Sequence, residues 1–114
     1  RPKLTQKKDC VFCNIVAKTE PADILYEDEQ VMVFKNKLTW VPIMLLCVPK
    51  NHMTQAKLWT DPILAHVGKI AAYLAAEHCE EGFRILSNFG RHGMQSQEHG
   101  HLHMIGGIHL GSYA

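Results

Sequence analysis

A short stretch in the first half of the chain constrains the fold most, because every position in it is apolar. Residues 43–48 read Ile-Met-Leu-Leu-Cys-Val and stand between Pro42 and Pro49. Successive side chains of a strand point to opposite faces of its sheet, so a strand of this composition is buried on both faces. The stretch therefore predicts the central strand of a sheet that is covered on both sides.

Two helices are predicted from capping residues and from apolar residues at helical spacing. Residues 10–18 predict a short helix that ends before Pro21. A longer helix is predicted to begin with Thr60 or Asp61 as its N-cap and to end near residues 78–80. Its apolar side chains recur along one side, which is typical of a helix packed against a core. They include Ile63, Val67, Ile70 and Leu74.

Strands are predicted from short apolar or alternating runs that are bounded by turn residues. They span residues 24–27, 31–35, 43–48, 83–87 and 98–105. The chain thus runs helix, three strands, helix, two strands, with short connections. Short connections favour antiparallel pairing, so the sequence predicts an α+β fold in which helices pack on an antiparallel sheet.

The size and charge of the chain exclude several classes of protein. Its 114 residues are 46% hydrophobic and 20% charged, which suits one globular domain. Arg1, Lys3, Lys7 and Lys8 hold four of the twelve basic residues, and residues 9–114 hold eight basic against eleven acidic residues, a net charge of −3. We therefore expect a flexible basic arm over residues 1–8 and a single domain over 9–114. The acidic domain argues against nucleic acid as a partner, and no apolar run approaches the ~20 residues of a membrane span.

The cysteines indicate a reducing environment. Cys47 lies inside the central apolar stretch and Cys79 follows the long helix, so both are predicted to be buried thiols and not disulfide partners. The first residues show no secretory signal. We expect an intracellular, cytoplasmic protein, with an organelle left open because the sequence starts at Arg1 and not at a methionine.

Three histidines in the last predicted strand are the strongest functional signal. His99, His101 and His103 stand at alternate positions, so a strand places them on one face and places Leu102 and Met104 on the other. One interpretation is a metal site, because histidines two residues apart on a strand can share an ion.

The other interpretation of these histidines is covalent catalysis. A neutral imidazole is a good nucleophile at phosphorus when its far nitrogen is protonated and held by an acceptor. The preceding loop contains Gly90, Gly93, Gln95 and Ser96. Backbone N–H groups freed by glycine, together with an amide and a hydroxyl, suit the oxygens of a phosphate.

A second group, Cys10-x-x-Cys13, has three interpretations: two zinc ligands, a redox pair or two packed thiols. A redox pair normally follows a strand within a βαβ pattern, and no strand is predicted before residue 10, which makes that interpretation less favoured. The spacing of a compact zinc finger is also absent, because His52 lies 39 residues beyond Cys13. Zinc ligands and packed thiols both stay open on this spacing.

Three segments resemble the histidine triad (HIT) family, whose specific pattern is His-φ-His-φ-His-φ-φ with φ apolar. The segments are residues 88–107 with the three histidines, residues 41–52 with a Pro-Lys-x-His turn, and the N-terminal residues 10–15. Together they cover about residues 9–107. The Cys-x-x-Cys sequence is similar to the zinc-binding branch of this family, which includes the Hint-type nucleotide-binding proteins.

The resemblance implies a fold, an activity and partners. The fold is a five-stranded antiparallel sheet with two helices, paired as a homodimer. The activity is that of a nucleotide phosphoramidase or hydrolase, which cleaves at the α-phosphate of a purine nucleotide of the AMP type through a phosphohistidine. A nucleotide-binding regulatory module and a dinucleoside polyphosphate hydrolase are the alternatives.

The resemblance also implies roles for individual residues. His101 is the implied nucleophile, with His103 and Ser96 as catalytic residues beside the phosphate. The implied ligands of a structural zinc ion are Cys10, Cys13, His52 and His99, and no redox cofactor is implied. The implied nucleotide-binding residues are Val11, Phe12, Ile15, Phe34, Asn36, Leu46, Asn88 and Gln95.

Four positions depart from the family pattern. Asn36 stands where many members carry an acid for the ribose hydroxyls, and Lys37 stands where an apolar residue is common. Met44 replaces a common histidine, and Met94 replaces a glycine. These departures bear on base and ribose preference and do not touch the phosphate chemistry.

Overall fold

The computed structural model describes residues 4–112, so Arg1 and Lys3 of the predicted arm lie outside the described residues. The strands are β1 (Ile24–Glu27), β2 (Val31–Lys35), β3 (Ile43–Pro49), β4 (Phe83–Leu86) and β5 (Leu102–Gly106). The helices are α1 (Val11–Val16), α2 (Gln55–Thr60) and α3 (Ile63–His78). No helix within residues 4–112 is long and apolar enough to cross a membrane.

The five strands form one antiparallel sheet in the order β1-β2-β3-β5-β4. The predicted α+β class with a five-stranded antiparallel sheet is confirmed. β3 occupies the centre, as its apolar composition predicts, and Leu46 of β3 pairs with Phe34 of β2 and with His103 of β5. The pairing of β5 with β3 thus brings the histidine segment beside the central strand.

Alternation along β2 and β3 divides the core between the two faces of the sheet. Val33 and Cys47 pack with α3 on one face, in a cluster that also contains Leu102 and Met104. Phe34 and the other alternate side chains of β2 and β3 pack with α1 on the opposite face. Both faces of β3 are therefore buried, as predicted.

A third helix, α2, corrects the prediction of two helices. Thr54 is its N-cap, and the Thr54 hydroxyl accepts the Lys57 N–H at 3.2 Å. Leu58 is fully buried in the α3-side core. The helix has six residues, which is fewer than two turns at about 3.6 residues per turn. It therefore has too few apolar positions to show helical periodicity in the sequence.

The last strand is shorter than predicted, because β5 begins at Leu102 and not at residue 98. His99 instead forms an isolated bridge with Thr54, and the Gly100 N–H donates to the Met53 carbonyl at 2.6 Å. A Cβ at Gly100 would lie 2.9 Å from the Leu58 Cβ atom, so a glycine is needed where this segment crosses α2. The segment before β5 therefore leaves the sheet and packs on the start of α2.

Candidate functional site

The three histidines lie on the α1 side of the sheet, although only His103 belongs to β5. The His101 and His103 rings are 4.9 Å apart between centroids. The edge-on contacts of Phe12 join the group, at 5.8 Å from the His99 ring and 5.2 Å from the His101 ring. Leu102 and Met104 of β5 point into the opposite core, as the alternation predicted from the sequence requires.

The hydrogen bonding of His101 sets which ring nitrogen carries its proton. Its Nδ1–H donates to the His99 carbonyl at 2.7 Å, which leaves a lone pair on Nε2. Nε2 has no hydrogen-bond partner within residues 4–112. Every buried side-chain nitrogen in that range has a partner, so Nε2 is not buried and solvent reaches it. Burial lowers the pKa of His101 and lowers the pKa of His103 to about 4, which keeps both rings neutral at pH 7.

The backbone of His101 is fixed from two sides. Its N–H donates to Gln55 Oε1 at 3.0 Å, and its carbonyl accepts the Ser87 hydroxyl at 2.6 Å. Gln55 Nε2 donates in turn to the Asn88 carbonyl at 3.2 Å, and Trp59 Nε1 donates to the Ser87 hydroxyl at 3.0 Å. Sequence reasoning did not identify Gln55 or Ser87 as parts of this arrangement.

His101 and His103 line a cavity of about 640 Å³ that opens between α1 and the ends of the strands. The other sequence-predicted residues that line it are Val11, Phe12, Ile15, Phe34, Asn36, Leu46 and Ser96. Further lining residues, not assigned a contact from the sequence, are Pro21, Ala22, Asp23, Lys35, Lys37, Leu38, Thr39 and Gln97. The cavity thus has an apolar wall, a histidine-lined end and a second polar end around residues 35–39.

Asn88 and Gln95, which were predicted to contact the nucleotide, lie outside this lining. Gln95 closes the loop before the histidines, since its Oε1 accepts the Gly90 N–H at 2.8 Å and its Nε2 donates to the Gln97 carbonyl at 2.9 Å. Met94 in the same loop has a φ of 62°, a left-handed conformation that favours glycine. The structure therefore gives Gln95 a role in loop shape, and its contact with a nucleotide stays a prediction.

The four predicted metal ligands are brought together beside this cavity. One potential ligand atom from each of Cys10, Cys13, His52 and His99 lies within 4.8 Å of the others. The His99 Nδ1 atom is 3.6 Å from Cys10 Sγ and 3.5 Å from Cys13 Sγ, and His52 Nδ1 is 3.3 Å from Cys13 Sγ. Ligand atoms around a tetrahedral zinc ion are about 3.5 Å apart, so the residues fit such an ion.

Neighbouring groups orient these ligands. His99 Nε2–H donates to the Pro49 carbonyl at 2.8 Å and so turns Nδ1 toward the thiols. His52 Nε2 lies 3.0 Å from Glu98 Oε1, which also accepts the Lys7 ammonium at 2.7 Å. Burial lowers the pKa of His99 to about 4 and raises the pKa of the Cys13 thiol, so His99 is neutral and Cys13 needs a cation nearby to ionise.

Part of the predicted arm lies against this cluster. The Thr5 carbonyl accepts the His52 N–H at 2.7 Å, and the Thr5 N–H donates to Asn51 Oδ1 at 2.7 Å. The Lys7 N–H donates to Cys13 Sγ at 3.4 Å. Residues 5–7 therefore pack on the turn that carries His52, while the flexibility assigned to residues 1–8 stays a prediction.

The fold and the site together define a class: a small α+β domain with a neutral-histidine centre at the mouth of a cavity. The model of the HIT domain family matches residues 17–110. The chain is 36% identical over 108 residues to an uncharacterized HIT-like protein of Chlamydia trachomatis, which covers 91% of this chain and 97% of the relative. The chain belongs to the HIT, or histidine triad, family.

Solved structures agree with this assignment. A HIT family hydrolase from Clostridium thermocellum superposes with a TM-score of 0.87 at 32% identity, covering 95% of this chain and 98% of its own. A hypothetical histidine triad nucleotide-binding protein from Sulfolobus tokodaii has a TM-score of 0.76 at 29% identity, covering 84% and 67%. A zinc-bound histidine triad family protein from Mycobacterium smegmatis has a TM-score of 0.75 at 29% identity, covering 85% and 73%.

Proposed function

We propose that the protein is a nucleotide phosphoramidase or hydrolase, which cleaves at the α-phosphate of adenylate-type substrates through a phosphohistidine. The observation that carries this proposal is the state of His101, whose Nδ1–H is held by the His99 carbonyl while Nε2 keeps its lone pair at the cavity. The similarity to a hydrolase from Clostridium thermocellum supports hydrolysis, and the similarity to a nucleotide-binding protein from Sulfolobus tokodaii supports the substrate class.

The cavity offers complementary surfaces to the parts of a nucleotide. The apolar side chains of α1 and β2, including Phe12 and Phe34, offer a wall for a purine base. The hydroxyl of Ser96 and the ring N–H of His103 are donors near His101, where the α-phosphate would lie. The substrate would thus place its phosphorus at the histidine end and its base against α1.

The reaction would proceed in two displacements at phosphorus. His101 Nε2 attacks the α-phosphorus, a P–N bond forms, and the bond to the amine or phosphate leaving group breaks. The leaving group takes a proton from solvent, which the attacking water of the second step returns, and the Nδ1–H of the positively charged phosphohistidine stays on the His99 carbonyl. Water then attacks the same phosphorus, the P–N bond breaks, and AMP and neutral His101 are released.

The test is release of AMP from adenosine 5′-phosphoramidate by the zinc-loaded protein and by its His101→Ala variant. We expect the variant to lose at least about 10³-fold in kcat, because the proposed covalent intermediate forms on His101 Nε2. His92→Ala is the matched control, since His92 is exposed in the loop and outside the cavity lining.

Two other results would redirect the proposal. A wild-type protein that binds AMP but releases no leaving group would be a nucleotide-binding regulatory module. Dinucleoside polyphosphates that are cleaved with a higher kcat/KM than the phosphoramidate would make the protein a dinucleoside polyphosphate hydrolase.

We infer that the cluster of two cysteines and two histidines holds a structural zinc ion. The ligand distances support this, as does the similarity to the zinc-bound protein from Mycobacterium smegmatis. Four protein ligands fill a tetrahedral shell and leave no position for a water nucleophile. His99 would then serve the ion, while His101 and His103 serve the phosphate.

We also propose that the protein is a homodimer and intracellular. β4 lies at the edge of the sheet and pairs only with β5 among residues 4–112, so its outer backbone groups are free to meet a second chain. Sedimentation equilibrium would give the mass of two chains if this is correct and of one chain if it is wrong.

The proposal of an intracellular protein is supported by the cysteines. The four cysteines are free thiols, which suits a reducing compartment.

A further inference from the structure

One end of the cavity is lined by consecutive hydrogen-bond donors that the proposed reaction does not use. Lys35, Asn36 and Lys37 end β2 and begin the following loop, and all three line the cavity. Neither Lys35 nor Lys37 forms an ion pair within residues 4–112. The lysines that do are Lys7, Lys18, Lys50 and Lys57. The Lys37 ammonium is therefore unpaired at this end, whereas Lys35 pairs with Leu45 of the α3-side core, so alternation directs its side chain to that face.

The amide of Asn36 adds a second donor. Its Oδ1 atom already accepts the Leu38 N–H at 3.0 Å, so the group left to meet a ligand is the Nδ2 amine. Asn36 shares a face with Phe34 by strand alternation, which is the face that carries the cavity. Asp23 is the only carboxylate among the lining residues in the described part of the chain.

This end lies two strands away from His103 in the sheet. Phe34 pairs with Leu46, which pairs with His103, so β2 lies two strands from β5, about 10 Å at the usual spacing. A nucleotide with its α-phosphorus at His101 and its base against α1 would have its ribose in between. Its 2′ and 3′ positions would then approach residues 36 and 37.

Free ribose hydroxyls and ribose phosphates require opposite partners. A hydroxyl is recognised best by a carboxylate that accepts its proton, whereas a phosphate dianion only accepts hydrogen bonds and prefers cations. Dinucleotide-binding folds follow this rule, with an acid for a free 2′-hydroxyl and a basic side chain for a 2′-phosphate. Asn36 and Lys37 provide the second set of partners.

We propose that residues 36 and 37 form a subsite for a second phosphate on the 2′ or 3′ hydroxyl of the ribose. The preferred substrates are therefore adenylates that are phosphorylated on the ribose as well as at the 5′ position. This inference rests on the proposed nucleotide function and adds a substrate class to it.

The test measures dissociation constants by calorimetry on the full-length, zinc-loaded protein. The ligands are AMP, adenosine 2′,5′-bisphosphate, adenosine 3′,5′-bisphosphate and ADP, which carries its extra phosphate on the 5′ side. One bisphosphate is expected to bind about tenfold more tightly than AMP and ADP, which corresponds to two exposed charge-assisted contacts. The difference should shrink as salt is raised, because the contacts are exposed.

Three variants locate the effect. Lys37→Met is expected to remove most of the preference for the bisphosphate over AMP. Lys69→Met is the matched control and should retain it, because Lys69 is an exposed lysine of α3 outside the cavity lining. Asn36→Asp keeps an acceptor for the Leu38 N–H and is expected to reverse the preference toward AMP.

The outcomes separate this inference from the function on which it rests. If AMP binds and neither bisphosphate binds more tightly than ADP, the subsite is refuted and the nucleotide function stands. If the preference exists but survives Lys37→Met, residues 36 and 37 do not form the subsite. If no nucleotide binds, the proposed function fails and the subsite fails with it.

Discussion

Gln55 is a single residue outside the cavity on which the geometry of the proposed nucleophile depends. Its side chain is 2% exposed, and both of its amide atoms are used, one by the His101 N–H and the other by the Asn88 carbonyl. The sequence did not reveal it, because a glutamine after a threonine is typical of an exposed first turn. Only the crossing of residues 98–101 over α2 buries this amide.

We predict that Gln55→Met destabilises the protein by about 1–3 kcal/mol, because it leaves the His101 N–H and the Asn88 carbonyl buried without partners. Methionine has nearly the volume of glutamine, so little cavity is created. Urea unfolding measures the stability. AMP release should show a lower kcat with a similar KM, since the substrate-lining residues are unchanged.

Gln30→Ala is the control for this prediction, because Gln30 is exposed and forms its hydrogen bonds within residues 4–112 through the backbone alone. Its N–H donates to Asp28 Oδ1 and its carbonyl accepts the Lys50 N–H. A Gln55→Met protein with wild-type stability and wild-type kcat would show that the hydrogen bond to His101 has no role in positioning it.

Most of the individual residues of the site could be predicted from the sequence, for a physical reason. His103, Phe34 and Leu46 lie on strands with strict alternation, so their shared face follows from their numbers. Gln97, Leu38 and Thr39 lie in loops, where no periodicity fixes the direction of a side chain. Their place at the cavity could not be predicted from their order in the chain.

At the scale of elements, the β1–β2 turn is held by one carboxylate. Asp28 Oδ1 accepts the N–H groups of Gln30 and Val31, and Oδ2 accepts the Tyr26 hydroxyl at 2.8 Å and meets His66 Nε2 at 2.7 Å. Burial alone would raise the pKa of Asp28, but these hydrogen bonds outweigh it and lower the pKa to about 2. The turn between two strands is thereby tied to α3.

We predict that Asp28→Asn lowers the free energy of unfolding by about 1–2 kcal/mol at pH 7. The folded pKa of Asp28 is below its ordinary value of 3.8, so the folded state favours the ionised form. The difference between wild type and variant should therefore be full above about pH 4 and disappear as the pH falls toward about 2. Urea unfolding at a series of pH values measures it.

Glu77→Gln provides the comparison, because Glu77 is an exposed carboxylate of α3. It should change stability by less than about 0.5 kcal/mol at every pH. An Asp28→Asn deficit that stays constant down to pH 2 would mean that the charge of Asp28 does not contribute.

The elements themselves were predictable where local sequence and tertiary contacts agree. β1 and β2 span the predicted residues, and α3 lies within the predicted limits. α2 and the start of β5 were not predictable, since the extended residues 98–101 and the short helix stabilise each other through Gly100 and Leu58. Neither segment shows in its own sequence the partner that determines its conformation.

At the scale of the whole molecule, the metal cluster joins parts of the chain that are distant in sequence. Cys10 caps α1, His52 follows β3 and His99 precedes β5, so one ion would tie the first helix to the ends of two neighbouring strands. α1 has only six residues, which is too short to be stable in isolation. Its attachment over the cavity therefore depends on these contacts and on its apolar side.

We predict that the purified protein carries one zinc ion per chain and that its removal by a chelator lowers the melting temperature by at least about 10 °C. Elemental analysis gives the zinc content and circular dichroism gives the melting curve. Cys13→Ser should be isolated without zinc and should melt like the chelated wild type.

Cys79→Ala tests whether loss of any buried thiol has the same effect. Cys79 packs beside Gly106 on the opposite side of the fold from the cluster, so this variant should keep its zinc. Zinc-free wild-type protein with an unchanged melting curve would show that the metal does not stabilise the fold.

The division of the core between the two faces of the sheet has a practical consequence. The α3 face contains the larger packed cluster, while the α1 face contains the cavity with His101 and His103. An engineer could therefore redesign Val67, Ala71 and their partners for heat tolerance and leave ligand recognition untouched. Variants with altered specificity on the α1 side could likewise be made in a protein whose α3 side has first been stabilised.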